Sequence, residues 1–247
     1  RNIIKIILKN IIILIFKMTL TTLITGTTKG IGNKMCKHFL KKGHNVISIA
    51  RSPIDINNDK LTHIQQDITN SSTKNIIEDI INEKKINNCI LNAAAFHNSF
   101  FHKMDYKDWN NIMNINLIST YNVVNPILNN MRNNNEGNII FISSITGKTG
   151  AIGASSYSST KSALYGLTRS LALENANKNI LINTISPGYI NEGMGNELTE
   201  KHTKNIMKTI PLGKFGETSD ILNLTDFLIE KNNYITGNNI DINGGLI

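Results

Sequence analysis

Leu20-Thr21-Thr22-Leu23-Ile24-Thr25-Gly26-Thr27-Thr28-Lys29-Gly30-Ile31-Gly32-Asn33-Lys34-Met35 is the stretch from which the rest of the chain can be read. Leu20 to Thr25 is a short apolar and β-branched run, the pattern of a strand buried on both faces. Glycines at 26, 30 and 32 follow, and a helical pattern runs over 30–42. Glycines here permit a tight turn, let backbone approach a pyrophosphate, and let the helix sit close to the sheet. The helix start then offers free N–H groups and the positive end of its dipole to phosphate oxygens. Many glycines merely close turns, so it is the strand–loop–helix context that points to a phosphate site. The spacing T-G-x-x-x-G-I-G differs from the G-x-G-x-x-G of larger dehydrogenases. It also lacks the Gly-Lys-Ser/Thr ending of a P-loop.

Outward from this unit the alternation continues. Val46 to Ala50, Ile90 to Leu91 with its flanks, Asn138 to Ser143 and Ile180 to Ser186 read as further buried strands. Helical lengths fall at 30–42, 73–85, 106–132, 156–176 and 218–230, whereas Arg51 to Thr62, with Pro53 and several Asn and Asp, reads as a loop. This order predicts a single α/β domain, a Rossmann-like doubly wound parallel sheet with helices on both faces and right-handed crossovers.

Composition narrows the function. The 247 residues are 40% hydrophobic and 18% charged, enough for one sizeable core. Ile, Asn and Lys (43, 38 and 22) make up 103 residues, and all three have A/T-rich codons, so this bias reads as a skewed genome. Of the net charge of +8, Arg1, Lys5, Lys9 and Lys17 supply half within 17 residues. The remaining cations are scattered, with no arginine stripe or interleaved aromatics, which argues against nucleic acid as a partner. Cys36 and Cys89 cannot form a disulfide framework and lack metal-ligand spacing, so no metal site is expected and a cytoplasmic or other reducing compartment is. Residues 1–17 are interrupted by lysines, too short for a membrane span and without a signal-peptide cleavage site. They read either as a basic amphipathic anchor or as a leader outside the native protein, with Met18 as initiator and 18–247 as the domain.

The glycine spacing resembles the cofactor loop of the short-chain dehydrogenase/reductase family, and the resemblance runs in order from Thr22 to Gly245. It implies NADP(H) or NAD as cofactor, held by Gly26, Thr28, Lys29, Gly30, Ile31 and Gly32. Asp67 and Ile68 match the family's adenine-side pair. Asn92-Ala93-Ala94 matches its N-A-G motif, with Ala94 replacing glycine. Pro187-Gly188 and Ile190 match the turn lining the nicotinamide. Glu192 stands where the family commonly has a threonine that bonds the carboxamide.

Tyr157 and Lys161, four residues apart on a helix, share a face, yet Y-x-x-x-K alone says little in so lysine-rich a chain. Ser144, thirteen residues before Tyr157, and Asn116 complete what resembles the family's catalytic tetrad. The chemistry suits these types. Reducing a ketone leaves an alkoxide to protonate, and a tyrosine of pKa about 10 is a poor acid at neutral pH. A neighbouring Lys161 ammonium is expected to lower that value, Ser144 to hydrogen-bond the carbonyl, and Asn116 to kink its helix and hold a water leading to Lys161. The resemblance also has Lys161 and Tyr157 touching the nicotinamide ribose.

The second strand ends in Ala50-Arg51-Ser52 with no acidic residue for a ribose 2′-hydroxyl. Arg51, Ser52 and Lys29 can instead meet a 2′-phosphate, so the reading favours NADP(H). Asn196 to Lys208 reads as a short mobile lid ending in I-P-L-G-K-F-G. With the C-terminal Asn243-Gly244-Gly245, it resembles the 3-oxoacyl-[acyl-carrier-protein] reductases. That implies an acyl-carrier-bound ketone and a basic entrance, for which Lys178 qualifies and Asn135, beside Glu136, does not. The alternatives are a dehydrogenase of a free sugar, polyol or other small alcohol, and a catalytically idle dinucleotide-binding protein. Apolar residues on several faces of the 106–132 and 156–176 helices (Leu117, Ile118, Val123, Val124, Leu164, Leu167, Leu171) predict burial against another subunit. The family resemblance implies a four-helix dimer interface from these helices and, through paired C-terminal segments, a homotetramer.

Overall fold

The computed structural model describes residues 19–192 and 200–246. The 1–17 leader, Met18 as initiator and the first part of the expected lid lie outside the described residues.

Seven strands form one sheet in the order β3-β2-β1-β4-β5-β6-β7, with every neighbouring pair parallel. They are β1 (Thr21–Thr25), β2 (Asn45–Ala50), β3 (Leu61–Gln65), β4 (Asn88–Leu91), β5 (Gly137–Ile142), β6 (Ile180–Pro187) and β7 (Asn239–Ile242). The described helices are α1 (Gly30–Lys41), α2 (Ser72–Glu83), α3 (Tyr106–Met113), α4 (Ser119–Asn134), the single turn α5 (Thr146–Thr149), α6 (Ser155–Asn175), α7 (Glu200–Thr209) and α8 (Thr218–Glu230).

Alternate strand residues point to opposite faces, and both faces are covered. Leu23, Ile47, Cys89, Ile139 and Ile182 pack against α2, α4 and α6. Their neighbours Ile24, Val46, Ile90, Ile140 and Ile185 pack against α1 and α8. The isoleucine excess thus fills strands, where β-branched chains pack well. Both cysteines are buried free thiols, and burial raises the pKa of each. No helix among the described residues is long and apolar enough to cross a membrane.

Two strands escape the sequence reading, β3 and β7, the two edges of the sheet. Between α3 and α4 the expected single helix contains a π-helical turn, Asn114–Ile118, which centres on Asn116. The apolar residues on which the four-helix expectation rests are mostly buried within the chain itself. Val123, Val124 and Leu164 are core residues, and Leu117, Leu167 and Leu171 pack half-buried on the same core. Of the seven residues, Ile118 alone is exposed, at 58%. The surplus apolar faces mostly belong to the subunit's own interior.

Candidate active site

Because all strands run the same way, their C-terminal ends deliver the connecting loops to one edge of the sheet. There β1 gives the glycine loop, β2 gives Arg51-Ser52, β3 leads to Asp67, β4 to Asn92, β5 to Ser144 and β6 to Gly188.

The glycine loop is tight for stated reasons. Gly26 has φ +71°, and a Cβ there would lie 2.7 Å from Ala93 Cα. A Cβ on Gly32 would lie 2.1 Å from the Gly26 carbonyl oxygen and 2.5 Å from Asn92 Nδ2. Asn92 Nδ2 donates to the carbonyls of Thr25 (3.2 Å) and Gly26 (3.1 Å), and the Asn92 and Ala93 N–H groups both donate to Thr25 Oγ1 at 3.1 Å. So the Asn92-Ala93-Ala94 segment braces the loop from beneath. Helix α1 starts without a side-chain cap and without an acidic residue in its first turn, leaving an N-terminus suited to an anion. Thr28, Lys29, Arg51 and Ser52 are exposed around it. Ala94 is exposed, and among the described residues the positive-φ ones other than glycine are Asn135 and Asn179, so alanine stands at 94 without strain. Asn135 itself is the left-handed C-cap of α4, a conformation that asparagine tolerates far better than lysine.

Asp67 Oδ1 accepts from the N–H (2.9 Å) and the hydroxyl (2.8 Å) of Thr69, fixing the turn that carries it, and Ile68 is buried beside it. Gly188 N–H donates to the Ile242 carbonyl (2.7 Å), and the Pro187 carbonyl accepts from Ile145 N–H (2.9 Å). Ile190 bridges to Gly216 through Tyr189 O and Asn191 N, not through its own amide. Glu192 lies 4.0 Å from Lys34 Nζ on α1, which gives its charge a partner on the protein.

Asn116, Ser144, Tyr157 and Lys161 come together. The Asn116 side chain is clamped: Oδ1 accepts from Ala95 N–H (2.7 Å), and Nδ2 donates to Ala95 O (2.9 Å) and Thr160 Oγ1 (3.2 Å). Lys161 is buried, with Nζ donating to the Ile142 carbonyl (2.7 Å) and lying 5.5 Å from the centre of the Tyr157 ring. Asn116 and Lys161 line one small cavity of about 10 Å³, with Thr25, Ser119 and Thr120 among its polar walls. Burial pushes the Tyr157 phenol up to about 12, partly countered by a hydrogen bond with Ser144. Burial likewise takes Lys161 down to about 8. The expected lowering of Tyr157 by Lys161 is therefore absent from the protein alone: desolvation dominates both groups.

Three neighbours escaped the sequence reading. Tyr165 donates from its hydroxyl to the Ser144 carbonyl (2.8 Å), and Thr160 links Tyr157 O (2.7 Å) to Asn116. Phe96 packs edge-on against Tyr157, ring centres 5.4 Å apart. Tyr165 follows Lys161 by four residues and so was legible in helical spacing. Phe96 had no signal. Among the described residues no cluster of metal-ligating side chains occurs.

A parallel sheet in this order, a glycine loop at its centre and a Ser–Tyr–Lys–Asn cluster at the same edge define an oxidoreductase of the Rossmann-like class. The comparisons narrow this. The family model described as short chain dehydrogenase matches residues 20–203. The 3-oxoacyl-[acyl-carrier-protein] reductase FabG of Buchnera aphidicola is 34% identical over 234 residues, covering 90% of this chain and 95% of that protein. The acetoacetyl-CoA reductase of an Acinetobacter species is 30% identical, covering 91% and 96%. Among solved structures, ElxO with NADP bound superposes with a TM-score of 0.86 at 30% identity, covering 93% of this chain and 99% of that one. The aldohexose dehydrogenase of Thermoplasma acidophilum gives 0.85 at 25% identity, covering 92% and 94%. This chain belongs to the short-chain dehydrogenase family.

Proposed function

We propose that the protein is an NADPH-dependent reductase that converts a ketone to a secondary alcohol, with a 3-oxoacyl thioester on a carrier protein as substrate. The observation that carries this reading is the assembly of Asn116, Ser144, Tyr157 and Lys161 beside an uncapped helix N-terminus. The residues present fit a nicotinamide dinucleotide: the glycine loop has no room for a Cβ at Gly26 or Gly32 and meets α1 where its N–H groups are free. Gly26 to Gly32 would hold the pyrophosphate, Asp67 and Ile68 the adenine, and Asn92 to Ala94 the riboses. Pro187, Gly188 and Ile190 would line the nicotinamide, and Arg51, Ser52 and Lys29 would meet the 2′-phosphate. When bound, the cofactor supplies the hydride.

The chain's own groups supply the rest. Ser144 donates to the substrate carbonyl and holds it for attack, an interaction that strengthens as the oxygen becomes negative. Tyr157 delivers the proton, and its burial keeps it in the acid form across the physiological range. Lys161, protonated at neutral pH, offsets negative charge on Tyr157 as the proton leaves. The cavity it shares with Asn116 is of a size for one water, through which Tyr157 can be reprotonated by way of Lys161. Phe96 beside Tyr157 and the exposed Ile152, whose loop joins the Phe96 loop through Ser99 N–H to Gly153 O (3.0 Å), make the entrance apolar. An acyl chain suits that entrance better than a sugar.

The decisive measurement is NADPH oxidation with 3-oxoacyl thioesters, on carrier protein and on a small thiol, against a panel of free ketones and sugars. Turnover confined to sugars or polyols would overturn the substrate assignment. In the same assay Tyr157→Phe is expected to lose roughly a hundredfold or more in turnover while still binding NADPH. Near-normal activity in that variant would remove the tetrad from the mechanism.

A further inference from the structure

We propose that His63 is a positioning residue for cofactor selection, tying the Arg51–Ser52 loop to the glycine-rich loop through one directed chain of hydrogen bonds. Ser48 lies in the middle of β2, fully buried, directly across from His63 on β3. An unpartnered hydroxyl there would be costly, and a small apolar residue would fill the space as well. Instead Ser48 Oγ bonds the Thr27 hydroxyl of the glycine loop on one side and His63 Nδ1 (2.9 Å) on the other. His63 Nε2 lies 3.1 Å from the Ser52 carbonyl.

A carbonyl only accepts, so Nε2 carries a ring hydrogen. Where that is the ring's one hydrogen, the chain has a single sense: Nδ1 accepts from Ser48, whose oxygen in turn accepts from Thr27. Among the described residues no other side-chain bond holds Arg51 or Ser52, both of which are exposed. The Gly26 N–H bond to the Ile49 carbonyl (2.9 Å) fixes the end of β2 against the phosphate loop, and His63 extends that registration to Ser52. Presetting the loop reduces the ordering that binding a 2′-phosphate would otherwise require.

This inference rests on the NADPH reading, and dissociation constants for NADPH and NADH separate the two. Wild-type protein is expected to bind NADPH more tightly. His63→Ala should lose about tenfold in NADPH affinity, the value of a lost hydrogen bond or two, and about twofold or less in NADH affinity. His63→Gln, whose amide can still donate toward Ser52, should recover part of the loss. Nitrogen chemical shifts of the wild-type ring should show the Nε2–H tautomer. Preference for NADH in the wild type defeats the cofactor reading and this inference with it. An NADPH-preferring wild type whose His63→Ala variant loses both cofactors equally, or neither, defeats the inference alone. If His63→Ala does not fold, an Nδ1–H tautomer in the wild type overturns it instead.

Discussion

Tyr157 and Lys161 are moved in opposite directions by the same burial, one to about 12 and the other to about 8, and the pH dependence of the reaction follows. Lys161 carries its charge below about 8 and loses it above, whereas Tyr157 keeps its proton throughout that range. For ketone reduction, kcat/KM, which reports groups of the free enzyme, is expected to fall as pH rises through about 8. In Lys161→Arg, whose side chain stays charged, that limb should vanish even if the overall rate is lower. A limb left in place by Lys161→Arg would show that another group titrates. At this scale the residues that the fold brings together, Asn116, Ser144, Tyr157 and Lys161, were legible through the family resemblance, and the glycines through the turn they make; the Tyr–Lys spacing alone says little. The sign of the tyrosine's shift was not legible. It depends on how deeply the fold buries both groups, which no spacing of residues encodes.

Helix α1 and the loop that opens it show how closely an element can be tied to its neighbours. Gly32 sits against the Gly26 carbonyl and the Asn92 amide, both held by further hydrogen bonds, so neither can retreat from an added methyl group. Gly32→Ala is expected to lower stability by about 1–3 kcal/mol and to abolish binding of the dinucleotide. Thermal melts with and without NADPH would check this, and a variant stabilised by NADPH as strongly as wild type would contradict it. The central strands were readable because both their faces are covered, which makes them continuous apolar runs. Leu61–Gln65 and Asn239–Ile242 were missed for the same physical reason. At the sheet edges, sequences such as LTHIQ and NIDI mix polar with apolar residues and resemble loops. The π-turn at Asn114–Ile118 has ordinary helical periodicity in its sequence and was legible only as the kink that the resemblance assigns to Asn116, whose side chain is clamped on Ala95 and Thr160.

For the whole molecule, the remaining argument for self-association is narrower than helix periodicity implied. Ile118, Tyr121 and Leu173 are exposed apolar residues on or beside α4 and α6. The outer face of α6 also carries Ser158, Ser159, Ser162, Ala163 and Gly166, side chains small enough for another helix to approach closely. We expect a tetramer of 27.5 kDa chains by light scattering at micromolar concentration, with Leu173→Arg shifting it toward smaller species and lowering the melting temperature. A fully active wild-type monomer would refute this. The same architecture sets the order in which the molecule can be completed during synthesis. Parallel neighbours cannot meet through a tight hairpin, so every pairing waits for a crossover. β1 can take β2 as soon as residue 50 has been made, but its other edge stays open until β4, and β6 waits for residues 239–242. Until β6 is made the isoleucine-rich strand GNIIFI presents one unpaired edge, and until β7 is made ILINTISP does. A stalled or shortened product would therefore display an open apolar sheet edge, the form of this molecule most prone to aggregate and most dependent on chaperones.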